Sequence, residues 1–235
     1  MTRVQWSEYD AVLFDLDGVV TPTAEVHMRA WAEMFTAFLR EHDGAPYTDA
    51  DYFAHIDGKP RYDGVRDFLT SRGIPAPQDL VVELGDRKND AFNEVLARDG
   101  VAAYPGSVQL LDHLRDLGLP LAVVSSSVNA PAVLAAAGLA DRFRTVVSGA
   151  VATELGLPGK PAPDTFVYAA VELGATPATS VVLEDAVSGV RAGAAGDFAL
   201  VIGVDRGVGS ETLTAAGATI VVTDLAQLVP TGAVG

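Results

Sequence analysis

Four short polar clusters stand out by residue type: Asp15-Leu16-Asp17-Gly18, Ser125-Ser126-Ser127, Gly159-Lys160-Pro161 and Glu184-Asp185. Each alone has a plain reading, as a turn after a strand, a helix N-cap, a loop, or acids favouring a helix N-terminus. Together they supply paired carboxylates, hydroxyls and a lysine, the set that phosphoryl transfer to a carboxylate requires. An aspartate nucleophile divides a difficult displacement into two easier ones through an acyl phosphate. Asp15 is the candidate nucleophile. In extended chain Leu16 points away and Asp17 returns to the side of Asp15. There Asp17 can protonate a leaving oxygen and later deprotonate an attacking hydroxyl. Gly18 permits a sharp turn and close backbone approach.

A carboxylate approaching a phosphate dianion meets like-charge repulsion. A hard divalent cation relieves it, and oxygen ligands with retained waters suit Mg²⁺. Asp15 and Asp185 are the side-chain ligand candidates. Glu184 would act through a water or by orienting the others, and Asp17 would add its backbone carbonyl. Lys160 brings a compact positive charge to the nucleophile and the phosphoryl oxygens. Ser125 can hydrogen-bond the phosphoryl group beside a helix start.

These clusters need elements to converge them. The short apolar runs Ala11–Phe14, Leu119–Val124, Thr145–Val147, Val181–Leu183, Ala199–Ile202 and Thr219–Val222 read as buried strands. Amphipathic stretches lie between them at Gly106–Leu117, Ala130–Ala137, Pro163–Leu173, Val187–Ala195 and Glu211–Ala216. Alternating strands and helices predict an α/β fold, a Rossmann-like parallel sheet with helices on both faces. In such a sheet ligands bind beyond the carboxyl ends of the strands, where all four clusters fall. The alternation breaks once. From Thr23 to Val101 the pattern is helical, with candidates at Ala24–Glu41, Asp49–His55, Tyr62–Ser71 and Leu80–Arg98. A core over 1–22 and 102–235 with an all-helical insert over 23–101 is expected. The insert joins the core near Val20–Thr23 and Ala102–Pro105 through two connecting strands that form a hinge.

Composition narrows the alternatives. The chain has 235 residues and no cysteine. That excludes a disulfide framework, a thiolate metal site and a cysteine nucleophile. With 16 basic against 31 acidic residues the net charge is -15, a field that repels nucleic acid and anionic membrane surfaces. It repels phosphorylated metabolites too, so a phosphate site here needs local cations or a metal. No apolar run approaches the ~20 residues that span a bilayer, and MTRVQWSEYD lacks the apolar core of a signal peptide. A cytoplasmic monomer acting on a small phosphorylated molecule, with neither nucleic acid nor membrane as partner, is the expectation.

The ordered clusters, covering essentially the whole chain, resemble the haloacid dehalogenase superfamily of phosphotransferases. Its pattern is a strand ending in Asp-x-Asp-Gly, a Ser or Thr after the next core strand, a Lys, then paired acids. The insert position resembles its helical-cap subclass, and within that the β-phosphoglucomutases. Thr23-Ala24-Glu25, His27, Arg29-Ala30-Trp31, Gly58, Arg61, Arg87-Lys88-Asn89-Asp90, Tyr104-Pro105-Gly106 and Lys160-Pro161-Ala162-Pro163-Asp164 carry this likeness.

The resemblance implies a Mg²⁺-dependent interconversion of β-glucose 1-phosphate and glucose 6-phosphate through a phospho-aspartate and a sugar bisphosphate. It makes His27 a hinge residue that hydrogen-bonds toward Asp17 and Lys88, and Thr23 a gate on Asp17. A bisphosphate needs a second cationic site. Arg61, whose fork suits phosphate, and Lys88 are its candidates, with Gly58 in the cap and Ser126, Ser127 and Asn129 from the core side. The chain departs from those mutases at Val128, where they have a Lys, at Pro22, where the hinge has an acid, and in a longer loop over Glu154–Gly159. The same residues would make a phosphatase if water reached the acyl phosphate. A catalytically silent metabolite-binding protein on this fold is the third reading.

Overall fold

The computed structural model describes residues 4–42 and 45–230, so the outermost residues of the expected core, 1–3 and 231–235, lie outside the described residues. The strands are β1 (Ala11–Phe14), β2 (Leu121–Val124), β3 (Thr145–Val147), β4 (Ser180–Glu184), β5 (Leu200–Val204) and β6 (Ile220–Val222). They form one parallel sheet in the order β3-β2-β1-β4-β5-β6. β1 and the Val181–Leu183 stretch of β4 are apolar on both faces because both faces are covered: every residue of β1 and β4 is buried. One side carries Val12, Phe14, Val123, Val181 and Ile202. The other carries Leu13, Ala122, Val182 and Val201 beneath Phe166 and Val190. The Rossmann-like α/β expectation is borne out.

The chain runs outward from β1 through β2 to β3, then returns to β4 on the other side of β1 and continues to β6. The reversal lies between β1 and β4, the place where such sheets open a crevice at the strand ends. Asp15 follows β1 there, and Glu184 and Asp185 end β4 beside it.

Between β1 and the next strand stand α1 (Thr23–Glu41), α2 (Asp49–His55), α3 (Arg61–Ser71) and α4 (Gln78–Asp99), then α5 (Pro105–Asp116). Thr48 caps α2 through a reciprocal pairing with Asp51, whose carboxylate accepts from the Thr48 backbone N–H at 2.8 Å. Helices α1–α4 share an aromatic core around Phe35, which lies 4.0 Å from the Phe68 ring and 5.4 Å from that of Trp31.

The core continues with α6 (Ala130–Ala136), α7 (Gly149–Leu155), α8 (Asp164–Glu172), α9 (Val187–Ala195) and α10 (Ser210–Ala216). Two expectations need correction. The links between insert and core are not strands: the first holds only an Asp17–Thr21 bridge, and the second lies against it through the Tyr104 N–H on the Val20 carbonyl at 3.0 Å. Glu154–Gly159 is not wholly a loop. Glu154 and Leu155 end α7, which the Ser148 side chain caps by accepting from the Val151 N–H and which closes at left-handed Gly156. Among the described residues no helix is long and apolar enough to cross a membrane.

Candidate active site

A cavity of about 340 Å³ opens between the helical layer and the strand ends. Asp15, Asp17, His27, Gly58, Arg61, Lys88, Ser125, Ser126, Ser127, Asn129, Glu184 and Asp185 all line it. Thr23 and Lys160 stand behind that lining, each against one of the aspartates.

Lys160 is 3% exposed. Its Nζ donates to Asp15 Oδ1 at 2.6 Å, to Glu184 Oε1 at 2.5 Å and to the Val124 carbonyl at 2.9 Å. Burial opposes its charge, but Asp15 and Glu184 outweigh burial and raise its pKa, so it stays a cation. Glu184 is fully buried; its second oxygen accepts from the Ala186 N–H at 3.0 Å.

Oxygens of Asp15, Glu184 and Asp185 lie within 4.8 Å of one another. Burial, against the pull of Lys160, raises the Asp15 pKa well above the carboxylate range, and Glu184 and Asp17 add to the rise. Burial and the neighbouring Asp57, Asp15 and Glu184 do the same to Asp185. One lysine does not neutralise this cluster, and hard oxygen donors around excess negative charge fit a divalent cation such as Mg²⁺. Backbone geometry fits as well. Gly18, at φ +84°, lies so close to Asp185 that a Cβ would sit 1.8 Å from its Oδ2. Glu184, bonded by Lys160 and the Ala186 N–H, is already committed to orienting the cluster.

Asp17 faces the helical layer. Thr23 Oγ1 donates to its Oδ1, and His27 Nε2 lies 3.3 Å from the same oxygen. Ser125 Oγ reaches its other oxygen at 3.4 Å. Burial alone would raise the Asp17 pKa, but His27, Thr23 and Lys88 outweigh it and bring it to about 2. The Lys88 ammonium meets His27 Nδ1, and the imidazole stacks on Phe92 at 4.1 Å. Burial, joined by Lys88, lowers the His27 pKa. Nδ1 of the ring thus faces Lys88 while Nε2 faces Asp17. Burial, against Asp17, lowers Lys88 itself to about 7.

The far end of the cavity is cationic. Arg61 Nε and Nη1 are buried with no hydrogen-bond partner, as is expected of donors that meet a ligand. Asn129 bridges core and insert, its Nδ2 donating to Asn89 Oδ1 at 2.8 Å. Val128 is 39% exposed at the same rim.

The structure adds residues that the sequence did not single out. Asp57 lines the cavity from the insert, and burial together with Glu184 raises its pKa to about 7. Arg206 donates through Nε to the Gly18 carbonyl at 2.7 Å and stacks over Tyr104 at 3.9 Å, so one core side chain touches both links to the insert. The only available signal for Asp57 was its place beside Gly58; Arg206 follows β5 with no pattern to mark it.

Both the sequence and the fold have counterparts among known proteins. The family model described as haloacid dehalogenase-like hydrolase matches residues 9–197. A β-phosphoglucomutase of Mycobacterium tuberculosis is 46% identical over 93% of this chain and 90% of its own length. Hexitol phosphatase A of Escherichia coli is 31% identical over 78% of this chain and 77% of its own. The structure of a β-phosphoglucomutase from Clostridium difficile superposes with a TM-score of 0.79 at 24% identity, over 94% of this chain and 93% of that one, which speaks for the fold. With the site, these likenesses support an enzyme that is a phosphomutase or a sugar-phosphate phosphatase. The chain belongs to the haloacid dehalogenase-like hydrolase family.

Proposed function

We propose that the protein is a phosphomutase interconverting β-glucose 1-phosphate and glucose 6-phosphate, built of a core (1–22 and 102–235) and a helical cap (23–101). The observation that carries this reading is a single cavity with a nucleophile–lysine pair at one end and the buried, unpartnered donors of Arg61 with Lys88 at the other. In a chain of net charge -15, a lysine bonded to the nucleophile at one end and free cationic donors at the other suit a sugar that carries phosphate at both ends during the cycle.

The proposed cycle starts with the phosphoryl group on Asp15. The Asp17 carboxylate takes the proton of a sugar hydroxyl, whose oxygen bonds to phosphorus as the Asp15 Oδ–P bond breaks. The bisphosphate turns end for end, and its other phosphate passes to Asp15. The departing oxygen recovers the proton from Asp17. Thr23 and His27 hold Asp17 in place for both transfers, Lys160 and Ser125 steady the phosphoryl oxygens, and Arg61, Lys88, Ser126, Ser127 and Asn129 hold the distal phosphate. Mg²⁺, held by Asp15, Asp185 and the Asp17 carbonyl with Glu184 orienting them, would supply the positive charge that lets a carboxylate approach a phosphate.

Val128 favours a second reading, a sugar-phosphate phosphatase. It offers the distal site a methyl surface where the resembling mutases have a lysine, and one relative is named as a hexitol phosphatase. The deciding experiment supplies the protein, Mg²⁺, β-glucose 1-phosphate and a trace of the bisphosphate. Glucose 6-phosphate without equivalent free phosphate is expected. Free phosphate as the main product overturns the mutase in favour of the phosphatase, and no turnover over a panel of phosphate esters overturns both.

A further inference from the structure

Two core hydroxyls reach the same loop of the helical layer. Ser126, in the turn after β2, donates to the Gly58 carbonyl at 2.8 Å. Ser188, in the first turn of α9, donates to the adjacent carbonyl of Asp57 at 2.9 Å. The loop sits close enough to need its glycine: at φ +69°, a Cβ on Gly58 would lie 2.2 Å from Ser188 Oγ and 2.8 Å from the Ala186 Cβ. Ser188 is 8% exposed and is not part of the cavity wall. Its hydroxyl is spent on the loop and not on the cavity. The loop it grips presents the Asp57 carboxyl and leads through Pro60 into Arg61, and α9, which carries Ser188, starts two residues after Asp185. One short segment thus fixes a core acid and pins the opposite wall of the cavity.

We propose that Ser188 is a positioning residue that latches the Asp57–Gly58 loop onto the core and so decides whether the phosphoryl group on Asp15 passes to a sugar hydroxyl or to water. The second half of this proposal rests on the phospho-Asp15 chemistry above. In either outcome the Asp15 Oδ–P bond breaks and a new P–O bond forms. The acceptor oxygen is the sugar's in one case and water's in the other, and its proton goes to Asp17. A docked loop keeps water from that position. Loss of one neutral hydrogen bond shifts a docking equilibrium by about two- to tenfold, and the share of phosphate lost to water follows.

The test compares the full chain with Ser188→Ala and Gly58→Ala, which disturb the same seat from its two sides. p-Nitrophenyl phosphate is the donor and glucose 6-phosphate the acceptor. Nitrophenol counts phosphorylations of Asp15, and inorganic phosphate counts those that end on water. In both variants the ratio of phosphate to nitrophenol should rise about two- to tenfold. Hydrogen exchange over Ile56–Arg61 should quicken by a similar factor, with exchange in the β-sheet unchanged. Unchanged exchange over Ile56–Arg61 overturns the latch. Faster exchange with an unchanged ratio overturns its control of the acceptor. If the unaltered protein already sends every phosphate to water, the transferase reading fails, while the exchange measurement still decides the latch.

Discussion

Replacing Lys88 with methionine separates what this side chain does for function from what it costs the fold. The amine is 4% exposed, lies 5.3 Å from the Trp31 ring and 5.0 Å from that of Phe92, and meets His27. Burial brings its pKa from 10.5 to about 7. At about 1.4 kcal/mol per pH unit, holding the charge there costs roughly 5 kcal/mol. The unfolded chain binds the proton more tightly, so below pH 7 the whole cost is present. It declines as pH rises from 7 toward 10.5 and is absent above. Methionine keeps the aliphatic stem and removes the charge, but leaves the His27 ring nitrogen unpaired at about 1–3 kcal/mol. The variant should therefore be more stable than the parent by roughly 2–4 kcal/mol at pH 6, and this advantage should shrink by about 3 kcal/mol between pH 6 and pH 9. Urea unfolding at fixed pH values measures both. The same variant should lose conversion of β-glucose 1-phosphate while still hydrolysing p-nitrophenyl phosphate, which has no distal group to hold. A stability difference that does not change with pH refutes the account of a charged amine held in the interior for its ligand.

Three further outcomes are expected. Asp15→Asn should abolish turnover, and intact-mass measurement should find no added phosphoryl group on it after p-nitrophenyl phosphate treatment; retained turnover removes Asp15 as nucleophile. Gly18→Ala must place a Cβ where Asp185 Oδ2 stands, in a backbone region that disfavours alanine by about 1–2 kcal/mol. Mg²⁺-dependent turnover should collapse although circular dichroism stays native, and turnover within twofold of the parent counts against the close approach. Phe35→Ala empties the centre of the helical layer and should destabilise it by about 3–5 kcal/mol in urea unfolding, whereas a loss below about 1 kcal/mol would show that this aromatic cluster does not hold the layer together.

Much of this architecture could be read from residue types. β1 coincides with Ala11–Phe14 because a central parallel strand is an unbroken apolar run, and β3, at the sheet edge, coincides with the β-branched run Thr145–Val147. β4 was harder to bound, since it runs on through Glu184. A carboxylate inside a strand reads as its end unless one knows that Lys160 and a backbone N–H await it. α7 carries no clear local mark, because Gly149-Ala150-Val151 resembles the end of a strand and the Ser148 cap shows only in three dimensions. The clusters around Asp15, Lys160 and Asp185 were legible because each follows a strand and strand ends converge. Asp57, Ser188 and Arg206 were not. Their parts depend on contacts with residues 188 to 131 positions away in the chain for Arg206 and Ser188, and no local spacing encodes such distances.

The aromatic cluster that stabilises α1–α4 shares no buried residue with the two clusters flanking the sheet. Two insert residues, Ala30 of α1 and Phe92 of α4, belong instead to the cluster on the Val12 and Phe14 face of the sheet, so the helical layer is packed both on itself and on the core. Exchanges around Phe35 can therefore accumulate at little cost to the sheet, whereas Ala30 and Phe92 sit at the joint and are constrained from both sides.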